Sequence, residues 1–324
     1  MQEYEYVYQV YKEKSFSKAA RNLFISQPAL SATIKKIENR LGVKLFERTT
    51  TSVTLTEAGE AYVETARKIM ELETDLSVYL EDLANLNTGR LVLSGTAFFC
   101  SYVIPPVVAA YQKKYPGVTL EMMESDSLLL YPMANENDLD LIVDAGYFEE
   151  EKFEVQTLFT EHILLVVPMA MVTTRQQREM ALTAEDIKKG RFLKPEVKGI
   201  SVKEFEDCPF LLLKKEHDLY HRAMAICEEQ GMAPESLLHL NQLMTAYSLA
   251  CQGMGLTFVS DTLVRQSHIQ ADVVYFKLNV QNETLTSRDV FVAYRKNRHI
   301  TRAMRSFIEL AQKIYYNYSN NRSE

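Results

Sequence analysis

The sequence predicts an α/β protein whose N-terminal head carries a winged helix-turn-helix, and three observations point there. Short helical periodicities crowd the first 42 residues, an apolar heptad runs through 57–87, and from residue 90 onward strands alternate with helices. With 324 residues, 47% hydrophobic and 24% charged, the chain has length for two or three domains and is too apolar to be disordered.

The head comes first. Tyr4, Val7, Tyr8 and Tyr11 recur at spacings of three and four and mark the inner face of a first helix. Ser15 or Ser17 can cap a second, with Ala19, Ala20 and Leu23 turned inward. A third begins at Ser26, whose hydroxyl can accept from the free backbone donors of the first turn, and Pro28 falls where a missing N–H costs nothing. Its inner face is Leu30, Ile34 and Ile37, continuing to Leu41. Only Phe24 and Ile25 remain between the second and third helices, so the two must cross sharply, as a helix-turn-helix does. Beyond Gly42, Leu45 and Phe46 lead into a Thr-rich stretch in which Val53 and Leu55 alternate with Ser52 and Thr54, the pattern of a two-stranded wing.

Thr56 caps a long helix with Glu57 in its acidic first turn, expected to run to about Asn87. Tyr62, Ile69, Leu76 and Leu83 repeat every seven residues, with Leu72, Tyr79 and Leu86 interleaved. Two apolar positions per heptad make a stripe too narrow for a helix lying on a large core, which predicts pairing with a second copy of the chain. A surface helix packed on its own body is the alternative.

In the body, strands are expected at 91–94, 119–124, 139–143, 163–167, 210–213, 256–259 and 290–294. Helices are expected at 105–115, 219–230, 242–251 and 300–316. Such alternation predicts parallel sheets covered by helices. The segment 169–207, rich in Lys and Glu, is expected to hold a surface insertion around 194–203. The predicted division is a winged helix-turn-helix domain at 1–58, a linker helix at 59–89 and a body at 90–324.

The net charge of −7 argues at first against a nucleic-acid partner, but it is unevenly distributed. Residues 1–56 hold nine basic and five acidic side chains, a head of +4, whereas 57–89 carry −6 and 90–324 carry −5. No run approaches the roughly 18–20 apolar residues of a membrane span, and the N-terminus lacks a signal-peptide pattern, so a cytoplasmic protein without a membrane partner is expected. Cys100, Cys208, Cys227 and Cys251 lie far apart and read as reduced structural thiols rather than redox sensors. His217 and His221 have the spacing of half a metal site with no third ligand to follow, so neither metal nor cofactor is expected. There is no nucleophile elbow, P-loop or GxGxxG after a strand, so an enzyme is not expected.

Phe16, Ser17, Ala19, Ala20, Leu23, the run from Ser26 through Gln27, Pro28, Ala29 and Leu30 to Ser31, then Ile34, Lys35, Ile37, Glu38, Leu41, Gly42, Leu45, Phe46 and Arg48, and finally Leu55 through Gly59, resemble the head of the LysR-type transcriptional regulators. The resemblance extends more loosely over the linker helix, Pro105, Tyr115 and Pro116, and the Gln252–Gly255 stretch. It implies a winged helix-turn-helix, a dimerising linker and a two-lobed effector domain like the type 2 periplasmic binding proteins, with lobe I at about 90–162 plus 266–324 and lobe II at about 163–265. It also implies promoter DNA as a partner, a homodimer through the linker helix, a homotetramer built as a dimer of dimers, and contact with RNA polymerase. Effector binding between the lobes would then change their closure and the spacing of the heads. A carrier protein whose head has lost sequence-specific DNA binding is the competing reading.

A recognition helix enters the major groove N-terminus first, which places Gln27, Ser31 and Lys35 to reach DNA. The resemblance adds Pro28 and the wing residue Arg48, and Arg21 is expected to support affinity. Capping and solvent exposure are the alternatives for Gln27 and Ser31, and a solvated face for Lys35. Where the family usually has Gly, often Gln, and frequently Arg, this chain has Lys14, Thr33, and Thr51 with Thr54, so the wing is poor in cations.

In a two-lobed α/β body, ligands bind at the ends of strands and the starts of helices. This selects Thr96, Phe98, Phe99, Cys100 and Ser101 after the first strand, Ser125 and Asp126 after the second, and Ala145, Gly146 and Tyr147 after the third. His217 and Asp218 are selected from the opposite lobe. Core packing is the alternative for each. Helix N-termini favour an anion here, and the family commonly recognises small anions.

Overall fold

The computed structural model describes residues 3–48, 53–84, 89–125, 139–296 and 298–320. They form two compact units, Met1–Ala84 and Asn85–Glu324.

In the first unit, helices α1 (Glu3–Glu13), α2 (Phe16–Asn22) and α3 (Gln27–Leu41) precede the wing strands β1 (Phe46–Arg48) and β2 (Val53–Leu55) and the helix α4 (Glu57–Ala84). Ser15 Oγ accepts from Lys18 N at 3.4 Å and Ser26 Oγ from Ala29 N at 3.3 Å, so both α2 and α3 start on hydroxyl caps. Gly42 closes α3 at φ 73°, the left-handed position that glycine adopts without strain. Lys14, where the family usually has glycine, takes the same region at φ 49°. Val7, Val10, Phe16, Ala19, Ala20, Leu30, Ile34, Ile37, Leu45, Phe46 and Val63 build one core. On α1 the buried pair is Val7 and Val10, whereas Tyr11 is exposed, so the inner face is rotated from the expected tyrosine row. Leu41 is exposed as well.

Strands β1 and β2 pair antiparallel, Phe46 opposite Leu55. The expected wing positions Ser52 and Thr51 lie outside the described residues, as do Leu86 and Asn87 at the end of the expected linker helix. On α4, Val63 and Ala66 are buried and Tyr62 packs against the head core, so the upper part of the heptad serves the head itself. Lower down, Ile69, Leu72 and Leu76 are exposed.

The second unit is built on strands β3 (Gly89–Gly95), β4 (Val118–Glu124), β5 (Leu141–Asp144), β6 (Phe153–Pro168), β7 (Phe210–Leu213), β8 (Ser236–Leu240), β9 (Thr257–Ser260), β10 (Val273–Lys277) and β11 (Ser287–Arg295). Its helices are α5 (Ala97–Tyr102), α6 (Ile104–Lys114), α7 (Arg175–Met180), α8 (Ala184–Lys188), α9 (Asp218–Glu229), α10 (Leu243–Cys251), α11 (Asp261–Gln266) and α12 (Arg302–Asn320). Strand β3 is parallel to β4 and β5, and β7 to β8, as the alternating pattern predicts. The remaining named pairings, β11 with β5 and β6, and β6 with β9 and β10, are antiparallel, so the sheet is mixed.

Strand β6 explains the two halves of the body. Its first part pairs with β11, and from Ile163 onward it pairs with β9 and β10. One continuous 16-residue strand thus belongs to both halves. Because β10 pairs with Leu164–Pro168, the chain returns to the first half after Lys277, later than the expected position 266. Sequence pattern missed this because β10 follows the polar stretch 265–272, which reads as a crossing loop. Within the insertion expected around 194–203, Lys194, Pro195, Glu196 and Lys198 are exposed, but Ile200 and Val202 are buried and Ile200 bridges to Leu278, and around it Ile187, Phe192 and Phe205 tie 169–207 into the core. Short 3₁₀ turns here bury isolated apolar side chains without any period that sequence reading can detect.

Candidate functional site

Two sites emerge, one on each unit. On the head, α3 buries Leu30, Ile34 and Ile37, which leaves Gln27, Pro28, Lys35 and Lys36 exposed and Ser31 half-buried on the outer face. Arg21 is exposed on α2. The helices are joined through Phe24 at φ 54°, with its ring 94% exposed. Thr33, where the family often has Gln, turns its hydroxyl back to Ala29 O at 2.9 Å. The wing is fixed to α3 by Glu38, whose Oε1 accepts from Leu45 N at 2.9 Å and Phe46 N at 3.3 Å. Thr56 then ties the wing to α4: its Oγ1 donates to Lys44 O at 2.6 Å and accepts from Gly59 N at 3.0 Å. Arg48 is the last residue of β1. Gln27, Pro28, Ser31 and Lys35 therefore lie along one helix held against the wing.

In the body, a cavity of about 550 Å³ opens between the two halves. Strands β3, β4 and β5 end at its rim, as a ligand site at carboxyl strand ends requires. From this side come Thr96, Phe98, Phe99, Glu124, Ser125, Asp144, Ala145, Gly146 and Tyr147. The opposite half supplies Leu213 at the end of β7, then Glu216, His217, Asp218 and Leu219 at the start of α9. Asn241 through Met244, where β8 passes into α10, complete that wall.

Nine of the expected effector residues thus meet at one cavity. Cys100 and Ser101 do not. One helical turn beyond Thr96, the Cys100 thiol turns under the sheet, lying 3.4 Å from Gly95 O and 3.8 Å from Met123 O, while Ser101 is exposed on the outer side of α5. Asp126 lies outside the described residues. His217 lines this cavity and His221 a neighbouring one that shares Asp218 and Arg288 with it.

Sequence reading missed Arg288, which lines the cavity and links both of its walls to buried charge. It lies on β11 directly opposite Glu161 of β6, and its Nε and Nη2 reach Glu161 Oε1 at 2.7 and 2.6 Å. Its Nη1 donates to Asp218 Oδ2 at 3.0 Å, and the same oxygen accepts from Arg222 Nε at 2.7 Å. Burial works against charge on Arg288, but Glu161 and Asp218 outweigh it and raise its pKa. Burial likewise works against charge on Asp218, yet Arg288 and Arg222 hold its carboxyl below the usual range. The only signal in sequence was an arginine at the start of an apolar strand, which does not reveal its partners.

Burial pushes the Cys100 thiol up to about 11, with the nearby Glu124 charge adding to it, and pushes Cys227 up to about 12. Cys208 and Cys251 are raised in the same way. Thiolate character, which redox sensing needs, is thus suppressed at all four.

A chain that carries both a winged helix-turn-helix and an α/β body with a ligand-sized cleft has the make-up of a DNA-binding regulator with an effector domain. Residues 1–60 match the bacterial regulatory helix-turn-helix proteins of the lysR family, and residues 84–314 match the LysR substrate binding domain. The chain belongs to the LysR family of transcriptional regulators. It is 28% identical over 309 residues to the uncharacterized HTH-type transcriptional regulator YcgK of Bacillus subtilis (strain 168), covering 95% of this chain and 93% of that protein. With the HTH-type transcriptional regulator AlsR of the same organism it shares 26% identity over 298 residues, covering 91% of this chain and 90% of that one. Among solved structures, a full-length cysteine-substituted OxyR from Pseudomonas aeruginosa superposes with a TM-score of 0.64 at 21% identity, covering 97% of this chain and 94% of that one. CbnR complexed with its target DNA gives 0.53 at 17% identity, covering 97% and 100%. Family membership favours the regulator over the carrier reading. No helix among the described residues is long and apolar enough to cross a membrane.

Proposed function

We propose that α3 reads promoter DNA through Gln27, Ser31 and Lys35, and that a small molecule held in the body's cleft controls the outcome. The carrying observation is the joint one: the outer face of α3 is uncovered, and nine residues expected to bind effector line one cavity. Gln27 has the donor and acceptor pair that matches adenine in the major groove, while Lys35 neutralises phosphate or meets guanine. Pro28 sets the entry of the helix, and Arg21 and Arg48 add phosphate contacts. The exposed Ile69, Leu72 and Leu76 on α4 continue a heptad that a second copy of the chain would cover, giving the homodimer. Two such dimers would form a tetramer, with closure of the cleft altering head spacing and contact with RNA polymerase. A head of only +4 supports this, because one head alone would bind weakly at physiological salt.

Lys35→Ala is expected to weaken binding to a promoter fragment and lower the salt-dependence slope by about one, while Gln27→Ala relaxes sequence preference. Gel shifts across a salt series measure both. Equal affinity of the wild-type chain for promoter and random duplex would overturn the reading.

A second measurement tests the cleft. Gly146→Trp, which fills part of the cavity, is expected to abolish the thermal stabilisation given by any metabolite that alters the DNA footprint. Stabilisation that survives the substitution places the effector elsewhere.

A further inference from the structure

The cleft carries the wrong charge for the anion that its helix N-termini suggest. Four carboxylates line it among the described residues, Glu124, Asp144, Glu216 and Asp218, against one arginine, Arg288. That arginine is already engaged by Glu161 and by Asp218. Glu161 is fully buried and Asp218 is held by Arg222 as well, so these two carboxylates and two guanidiniums balance one another and leave Arg288 no free charge for a ligand. An anionic ligand would find no arginine or lysine on these walls whose charge is not already taken.

The acids are also distributed in an informative way. Glu124 and Asp144 end β4 and β5, the two strands that flank β3. Glu216 and Asp218 stand on the opposite wall, at the entry to α9. No three His, Cys, Asp or Glu side chains among the described residues come together to hold a metal ion, so the surplus is spread around the cavity rather than focused on a point. Tyr147 adds an aromatic ring at the rim, 81% exposed, and such rings attract cations over their faces. Asp144 is buried to 4% exposure, where the lower local dielectric strengthens the pull of a carboxylate on a nearby cation.

We infer that the effector carries at least one ammonium or guanidinium group and no net negative charge, with Asp144 and Glu124 receiving the cationic end. A second amine, or a neutral polar tail, would reach Glu216 across the cleft. A carboxylate on a zwitterion can still use the N-terminus of α10, where Gln242 and Leu243 line the cavity. This rests on the cleft being the effector site, as proposed above.

The test is a thermal-shift and calorimetric panel on the full chain at matched ionic strength. One arm holds putrescine, lysine, arginine and γ-aminobutyrate, and the other succinate, citrate and benzoate. At least one amine is expected to bind and no anion to do so. Asp144→Asn is expected to weaken the amine by on the order of 100-fold, and Glu124→Gln, at a less buried position where folding is disturbed less, by about tenfold. Binding by an anion that Gly146→Trp abolishes overturns the charge assignment and leaves the cleft reading intact. Amine binding that survives Gly146→Trp overturns the cleft reading instead. A panel in which no amine binds, or in which neither carboxamide variant weakens one, overturns the inference.

Discussion

Arg288→Ala is expected to destabilise the body by about 3–5 kcal/mol, lowering its melting temperature by roughly 10 °C. The substitution strands Glu161, which is fully buried, without the guanidinium that both Nε and Nη2 supply. Asp218 suffers less, since it is more exposed and retains Arg222. The loss therefore measures the cost of an uncompensated buried carboxylate rather than the worth of the ion pair. That distinction is testable. Combining Arg288→Met with Glu161→Gln removes both charges, and the double variant is expected to recover most of the stability, because a buried ion pair gains little over apolar packing once desolvation is counted. Urea melts of the wild-type chain, Arg288→Met, Glu161→Gln and the double variant complete the cycle. A double variant as unstable as Arg288→Met alone would mean that packing, not charge, is what Arg288 provides.

The second large effect is confined to the head. Gly59→Ala places a Cβ 2.0 Å from Leu45 O, 3.0 Å from Leu45 C and 3.1 Å from Leu55 Cδ2. Two of these are backbone atoms, so rotamer changes cannot relieve the overlap. Either α4 withdraws from the wing or the Thr56 contacts to Lys44 O and Gly59 N break. Overpacking of this kind typically costs about 1–3 kcal/mol and here exceeds that range, in a unit of limited core. Operator affinity is expected to fall by at least about 100-fold while the transition of the body stays at its wild-type temperature. Gel shift and differential scanning calorimetry on one preparation check both halves. Normal DNA binding by Gly59→Ala would show that α4 and the wing can separate without harm to the head.

The head was largely legible in the sequence because its determinants are local. A hydroxyl at Ser26, a proline at Pro28, inward residues at Leu30, Ile34 and Ile37 and a glycine at Gly42 fix the start, the face and the end of α3 within one short window. The cleft was legible in part, since strand ends and helix starts can be placed from pattern, and these bring Thr96, Phe98, Gly146, Tyr147 and His217 to one cavity. The exceptions follow from rotation about a helix axis. Cys100 and Ser101 sit one turn too far along α5 and face the sheet and the solvent instead of the cavity.

Periodicity, capping and charge are properties of neighbouring residues, so a basic winged helix-turn-helix, a long heptad-patterned helix and an alternating body follow from local pattern alone. The membership of β6 in both halves of the body, the place of β10 in the second half and the meeting of Glu161, Asp218 and Arg288 depend instead on long-range pairing. Asp218 and Arg288 are 70 positions apart and Arg288 and Glu161 are 127 apart. Strand pairing across such separations depends on the closure of the whole sheet, and no local pattern encodes it. The charge of the cleft belongs to this second class: acidic residues scattered along the chain acquire a shared meaning only when the fold places them around one cavity.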